Sequence, residues 1–240
     1  MEIRRFFVEP SDINSTFVTL TGDEFLHMVK VLRYKVGFKA IVCANDGVER
    51  LCTVKEIGKD FATLVIDKET AVDVKKAHVT LFAGLLKNNK LDFVFQKAVE
   101  LGVDKIVPFV SANCAETKFS QDRAEKIALE AAKQCGSAYL SKVGALENFD
   151  AVLSSFKDFD TVLFAYENEK KNRIKDCLYK GKNIALVVGP EGGFTQEETD
   201  KAKECGATII TLGRRILRAE TASIVSCALL LDHLGELDYE

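Results

Sequence analysis

Ile184, Ala185, Leu186, Val187 and Val188 follow one another with no polar side chain among them. A strand that is apolar at every position has no face for water, so both faces must be covered. That is the condition of a central strand in a parallel sheet, and parallel neighbours need long crossovers, usually helical. The surrounding sequence supplies them. Residues 79–85, Lys105–Val110, Thr161–Ala165 and residues 207–212 read as further strands. Lys90–Leu101 sets Leu91, Val94, Phe95, Ala98 and Val99 on one helical face and stops at Gly102. Ser120 caps a second helix, with Ala124, Ile127, Ala128 and Ala131 on one face, ending at Gly136. Residues 168–179 predict a charged helix. Thr195-Gln196-Glu197-Glu198 reads as a capping box, and residues 219–234 as a last helix. The alternation predicts a parallel α/β domain over residues 73–240.

Residues 1–72 carry a different pattern. Strand-like runs cover 5–8, 16–20, 38–44, Val48–Ile57 and 61–67, and Asn45-Asp46-Gly47 is a strong hairpin signal. This spacing predicts a small β-barrel. One helix interrupts it. Thr21-Gly22-Asp23-Glu24 reads as a capping box, with the Thr21 hydroxyl on the helix and Glu24 returning to the cap amide. Phe25, Met28, Val29 and Leu32 then share a face. Residues 71–77 turn polar and read as a linker.

Charge narrows the function classes. The 240 residues carry 33 basic and 36 acidic side chains, a formal net charge of −3. A nucleic-acid partner would need a local basic patch, not the overall field. Seven cysteines without a CxxC pair, and only three histidines, argue against a disulfide framework or a metal site and for a reducing, cytoplasmic compartment. No apolar run is long enough to span a membrane.

Four constellations carry candidate chemistry. Val188-Gly189-Pro190-Glu191-Gly192-Gly193-Phe194-Thr195 leaves the apolar strand and enters a capped helix, where glycines admit a ligand close to the backbone. It is neither a dinucleotide fingerprint nor a P-loop. Leu212-Gly213-Arg214-Arg215-Ile216-Leu217-Arg218-Ala219-Glu220-Thr221-Ala222 also joins a strand to a helix and clusters arginines suited to phosphates and carbonyl oxygens. Lys87 and Lys90 lie at a third strand end, near Gln96 and Glu100. Arg4, Arg5, His27, Lys30, Arg33 and Lys35 form a basic set beside Phe6, Phe7 and Tyr34.

Together these strings resemble the RsmE family. The Gly189–Pro190–Glu191–Gly192–Gly193 turn and the 212–222 segment look like its C-terminal signature. Arg5-Phe6-Phe7 resembles its opening, His27 with Val31-Leu32-Arg33 its HxxxVLR element, and Lys87 with Gln96-Lys97-Ala98-Val99-Glu100-Leu101-Gly102-Val103 its central motifs. The resemblance covers nearly the whole chain. Two departures stand out: Ser137 and Ser141 occupy places where the family has arginine and proline, and Phe38 follows Gly37 where it has aspartate.

The resemblance implies an S-adenosylmethionine-dependent methyltransferase of the SPOUT superfamily that modifies N3 of a uridine in small-subunit (16S) ribosomal RNA. It implies an N-terminal PUA-like RNA-binding β-barrel, a C-terminal SPOUT α/β domain with a deep trefoil knot, and a homodimer without metal or membrane. Leu163, Ala165, Tyr166, Glu167, Val188, Gly189, Pro190, Gly192, Gly193, Leu212, Gly213, Ile216, Leu217, Thr221 and Ala222 are then expected to hold the cofactor. Arg5, His27, Lys30, Arg33, Lys87 and Lys90 are expected to hold RNA. Arg218 is expected to stabilise charge on uracil, with Glu220 or Glu191 orienting it or accepting the proton. The competing classes are a dinucleotide oxidoreductase, which lacks its fingerprint, and a non-catalytic RNA-binding protein.

Overall fold

A computed structural model of the chain describes residues 3–87 and 89–238. The chain divides into two compact units, Met1–Val74 with Ala132–Leu140, and Lys75–Ala131 with Ser141–Glu240.

The first unit holds five strands: β1 (Arg4–Phe7), β2 (Phe17–Thr21), β3 (Lys39–Cys43), β4 (Val48–Ile57) and β5 (Phe61–Ala71). Their order is β1-β3-β4-β5-β2, with β1 parallel to β3 and the remaining pairs antiparallel. β1 and β2 end the sheet on opposite sides and do not pair. The predicted barrel is thus a curled half-barrel with open edges. Two register shifts between β4 and β5 introduce bulges, which add bend and twist. Inside the curl Phe6, Leu20, Met28 and Leu64 are fully buried. The hairpin tip follows its sequence signal, with Asn45 and Gly47 at positive φ.

The helix α1 (Gly22–Leu26) runs into a π-turn at His27–Val31. Phe25 and Met28 are buried as the pattern predicts. The expected capping box is absent. Thr21 makes no side-chain cap bond, and Glu24 accepts from the Phe7 N–H at 3.3 Å and pairs with Lys133 at 2.6 Å. An ionised carboxylate gains more from an ammonium than from a neutral amide, and that lysine lies 109 residues away.

The second unit is a parallel sheet of β6 (His78–Gly84), β7 (Lys105–Val110), β8 (Lys142–Val143), β9 (Glu147–Asn148), β10 (Thr161–Ala165), β11 (Asn183–Val188) and β12 (Thr208–Ile210). The order is β12-β10-β11-β6-β7-β8, with β9 also on β7. The apolar run sits where its composition requires: β11 pairs with β10 on one side and β6 on the other. The helices are α2 (Lys90–Leu101), α3 (Gln121–Cys135), α4 (Phe149–Ser155), α5 (Gln196–Glu204) and α6 (Ala219–His233), with α6 packed on α2.

Residues 168–179 do not form the predicted helix. Glu169 draws the N–H groups of Lys170, Lys171 and Asn172 onto its own carboxylate. Asn172 accepts from the Thr211 N–H and donates its side chain to the Ile209 carbonyl, stitching the segment along β12. Side-chain and cross-chain bonds thus replace helical ones, leaving a 3-10 turn at Ile174–Asp176. β12 itself is shorter than the predicted 207–212.

Candidate active site

In an open parallel sheet, ligands bind beyond the carboxyl ends of the strands. Here β10, β11 and β12 are neighbours, and beyond their ends lies a cavity of about 450 Å³. Its wall consists of residues 165–167, 188–194 and 211–219, with Lys90 and Ala222. The volume suits a small-molecule ligand or cofactor.

The turn after β11 is fastened from several directions. Phe194 enters the core against Phe164 at 4.2 Å between ring centroids and stacks on Phe109 at 6.1 Å. Thr195 caps α5 through its hydroxyl, and Glu198 returns to the Thr195 N–H, so the predicted capping box is present. Glu198 also accepts from the Ala112 N–H at 2.8 Å, which ties the turn to the loop after β7. From that loop Asn113 donates to the Gly192 and Gly193 carbonyls. Beneath the turn, a Cβ on Gly84 would come 2.5 Å from the Pro190 nitrogen, so only glycine allows this approach. Gly193 has φ +66°, the left-handed region glycine favours.

The loop after β12 is held mainly at its ends. Thr211 accepts from the Gly213 N–H, and Arg218 becomes the N-cap of α6 without a side-chain capping bond. Between them Arg214, Arg215 and Ile216 are exposed, Ile216 by 87%.

Of the residues expected to hold a cofactor, Ala165, Tyr166, Glu167, Val188, Gly189, Pro190, Gly192, Gly193, Leu212, Gly213, Ile216, Leu217 and Ala222 line the cavity. Leu163 is fully buried inside β10, and Thr221 is exposed on α6; neither reaches the wall. Phe194, Arg214, Arg215 and Ala219 also line the cavity; they lie within the two candidate strings but carry no expected cofactor role of their own. Thr211 lies outside both strings, and its only signal is contiguity with Leu212.

The three expected catalytic residues differ in their surroundings. Arg218 lines the cavity and is exposed. Glu191 lines it too, but pairs with Lys90 at 2.9 Å and accepts from the Lys87 N–H. Partial burial pushes the Glu191 carboxyl up, but the Lys90 hydrogen bond, the Lys87 amide and both lysine charges outweigh it, so its pKa is lowered. Glu220 is half-buried outside the wall, and its Oε2 is buried without a hydrogen-bond partner. Such an oxygen is uncommon in a folded protein and invites a donor.

In the first unit, Lys30 and Arg33 are exposed, and Arg33 has φ +55° in a region non-glycine residues seldom occupy. His27 is half-buried, edge-on to Phe6. Arg5 is different: its side chain is 9% exposed, donates to Cys43 Sγ and pairs with Glu49 at 2.8 Å. Of the departures, Ser137 closes a turn on Tyr139, and buried Ser141 donates to the Val103 carbonyl. Among the described residues no histidine, cysteine and carboxylate group converges as a metal site, and no helix is long and apolar enough to cross a membrane.

Known proteins match this chain over most of its length. An RNA methyltransferase domain family matches residues 73–231, and an RNA methyltransferase PUA domain family matches residues 20–67. The ribosomal RNA small subunit methyltransferase E of Bacillus subtilis is 33% identical, covering 92% of this chain and 93% of that one. Its counterpart in Mesomycoplasma hyopneumoniae is 34% identical, over 92% and 95%. The crystal structure of the Neisseria gonorrhoeae ribosomal RNA small subunit methyltransferase E, bound to S-adenosyl methionine, superposes with a TM-score of 0.84 at 26% identity, over 96% of this chain and 98% of that one. With a PUA-type half-barrel, a SPOUT-type parallel domain and similarity along nearly its full length, the chain belongs to the RsmE family of RNA methyltransferases.

Proposed function

We infer that this chain is a cytoplasmic S-adenosylmethionine-dependent methyltransferase acting on N3 of one uridine in small-subunit (16S) ribosomal RNA. The observation that carries this reading is the cavity beyond β10, β11 and β12, where a glycine turn meets an arginine loop. The residues fit the cofactor. Ala165, Val188, Leu212 and Leu217 offer apolar contacts for adenine, the glycine turns expose backbone donors and acceptors, and Glu167 offers a carboxylate for hydroxyl or ammonium groups. When bound, S-adenosylmethionine supplies an electrophilic methyl group on a sulfonium.

The protein must do the rest. N3–H lies on the Watson–Crick edge, so the base has to enter unpaired or flipped out. Removing that proton puts negative charge on the uracil carbonyls, and the Arg218 guanidinium, which meets no carboxylate among the described residues, stabilises it. Of the two candidate carboxylates, Glu220 lies outside the cavity wall, so in this reading it orients Arg218 and the N3 proton leaves to solvent. The Glu220 Oε2 lacks a donor, whereas Glu191 is occupied by Lys90 and Lys87 and its lowered pKa makes it a weak base. Glu191 instead anchors the turn.

His27, Lys30 and Arg33 would position RNA by its phosphates, while Arg5 braces β1 against β3 and contributes less to binding. Division at residues 72 and 73 and the trefoil knot belong to the same reading. So does the homodimer, which exposed Phe93 on α2 and Leu229 on α6 support, since large apolar groups on two packed helices mark a contact surface. Leu229→Glu should shift the protein to monomer in sedimentation analysis.

The primary test is transfer of labelled methyl to small ribosomal subunits lacking the modification, mapped by mass spectrometry of nuclease fragments. A single 3-methyluridine is expected. Cofactor binding without incorporation would favour another RNA, and loss of both would favour a non-catalytic protein.

A further inference from the structure

Four cations line the cavity, Lys90, Arg214, Arg215 and Arg218, against two carboxylates, Glu167 and Glu191. Lys90 and Glu191 neutralise each other. Three guanidinium groups are left with Glu167, in a chain whose formal net charge is −3. Most arginines elsewhere are answered: Arg5 by Glu49, Arg50 by Asp46 and Glu69, Arg123 by Asp92 and Arg173 by Asp176. Among the described residues no carboxylate pairs with Arg214, Arg215 or Arg218.

The cofactor does not explain this surplus. S-adenosylmethionine carries one carboxylate, one ammonium and one sulfonium, so it is a net cation and is repelled by uncompensated arginine. Uracil accounts for Arg218. The exposed pair Arg214 and Arg215 needs a ligand with more negative charge than either. A guanidinium fork matches phosphate oxygens, and an RNA strand presents phosphates in succession.

We propose that Arg214 and Arg215 clamp two backbone phosphates beside the target nucleotide, and that RNA, by neutralising them, makes the cavity more receptive to the cationic cofactor. The proposal rests on the methyltransferase reading above. Coupling of this kind is reciprocal, so the cofactor must also tighten RNA binding.

The test uses the full chain with the two ligands measured separately. A dye-labelled oligouridine reports RNA binding by fluorescence anisotropy across a potassium chloride series. Calorimetry reports S-adenosylmethionine binding with and without unlabelled oligouridine. The variants are R214A/R215A and R214K/R215K, each checked by thermal unfolding. The alanine pair should weaken oligouridine binding roughly tenfold, and its log–log salt slope should be shallower by about 1.4, at about 0.7 per single-strand phosphate contact. The lysine pair, which keeps the charge, should retain the slope. Without RNA, the cofactor should bind the alanine pair as tightly as wild type or more so, and its tightening by RNA should disappear.

An unchanged oligouridine affinity and slope in the alanine pair would overturn the proposal. So would weaker cofactor binding in the absence of RNA, which would place these arginines on the cofactor. Failure of the underlying reading looks different: wild type would bind oligouridine with the expected slope but transfer no methyl to small subunits.

Discussion

Residues 189–195 leave β11 with their polar side chains answered, while residues 212–218 leave β12 with three guanidinium groups that meet no carboxylate among the described residues. Both stretches line one cavity. The first is held by a phenylalanine in the core, a capping box, an asparagine and two lysines. The second has its internal bonds near Thr211 and Arg218 and an isoleucine 87% exposed between them. One wall is built before any ligand arrives. The other keeps its hydrogen-bonding capacity for the ligand. Preorganisation lowers the cost of binding, and free donors aimed at developing charge lower the barrier. Substitutions in the first wall should therefore act on stability, and those in the second on rate.

The largest effect is expected on the second wall. Arg218→Ala should reduce methyl transfer by about 10²-fold or more, the loss typical of one oxyanion donor. Thermal unfolding should barely move, because the side chain is exposed and makes no cap bond. Near wild-type turnover would remove Arg218 from the chemistry. A large drop in melting temperature would mean that this wall, too, is structural.

Two substitutions probe the first wall, where stability should fall. Gly84→Ala sets a Cβ 2.5 Å from the Pro190 nitrogen and 2.8 Å from the Gly189 carbonyl carbon. Backbone cannot yield as a side-chain tip does, so about 1–3 kcal/mol of stability should be lost, with weaker cofactor binding. Urea unfolding and calorimetry measure the two. Glu198→Ala removes the acceptor from the Ala112 and Thr195 amides. Leaving such groups unanswered costs about 1–3 kcal/mol. If either variant unfolds like wild type, the turn is less firmly held than its contacts indicate.

The same contrast separates what was legible in the sequence from what was not. Local rules placed α2, β7, β10 and β4, because apolar spacing and a glycine stop act over a few residues. They also found the Thr195 capping box, whose partners are three residues apart. They failed at Thr21, where Glu24 is claimed by Lys133, and at residues 168–179, where Asn172 is claimed by β12. In both cases a distant partner outcompeted the local one. The site followed the same division. Thirteen of the fifteen residues expected to hold the cofactor line the cavity, because the glycine and arginine motifs lie where strands end. Leu163 and Thr221 do not, since side-chain direction depends on sheet pleat and helix phase. The anchoring roles of Asn113 and Glu198 toward Gly192, Gly193 and Ala112 carried no sequence signal at all.

The smallest expected effect tests whether charge contributes to the first wall. The Glu191 carboxyl has a lowered pKa in the folded chain, with burial outweighed by Lys90 and Lys87. A group depressed on folding adds stability above its unfolded pKa, near 4.3 for glutamate, and that contribution disappears as pH falls through the folded value. Glu191→Gln keeps the shape and removes the charge. Wild type should therefore unfold at higher temperature than the variant at neutral pH, and the gap should close as the solution is acidified below about pH 4. Because the pair with Lys90 is partly exposed, the gap should amount to less than about 1 kcal/mol and shrink in high salt. A gap that survives acidification would mean that Glu191 holds the turn by shape and hydrogen bonding alone. The lysines would then be free to serve the RNA, and the two walls would differ less than their contacts suggest.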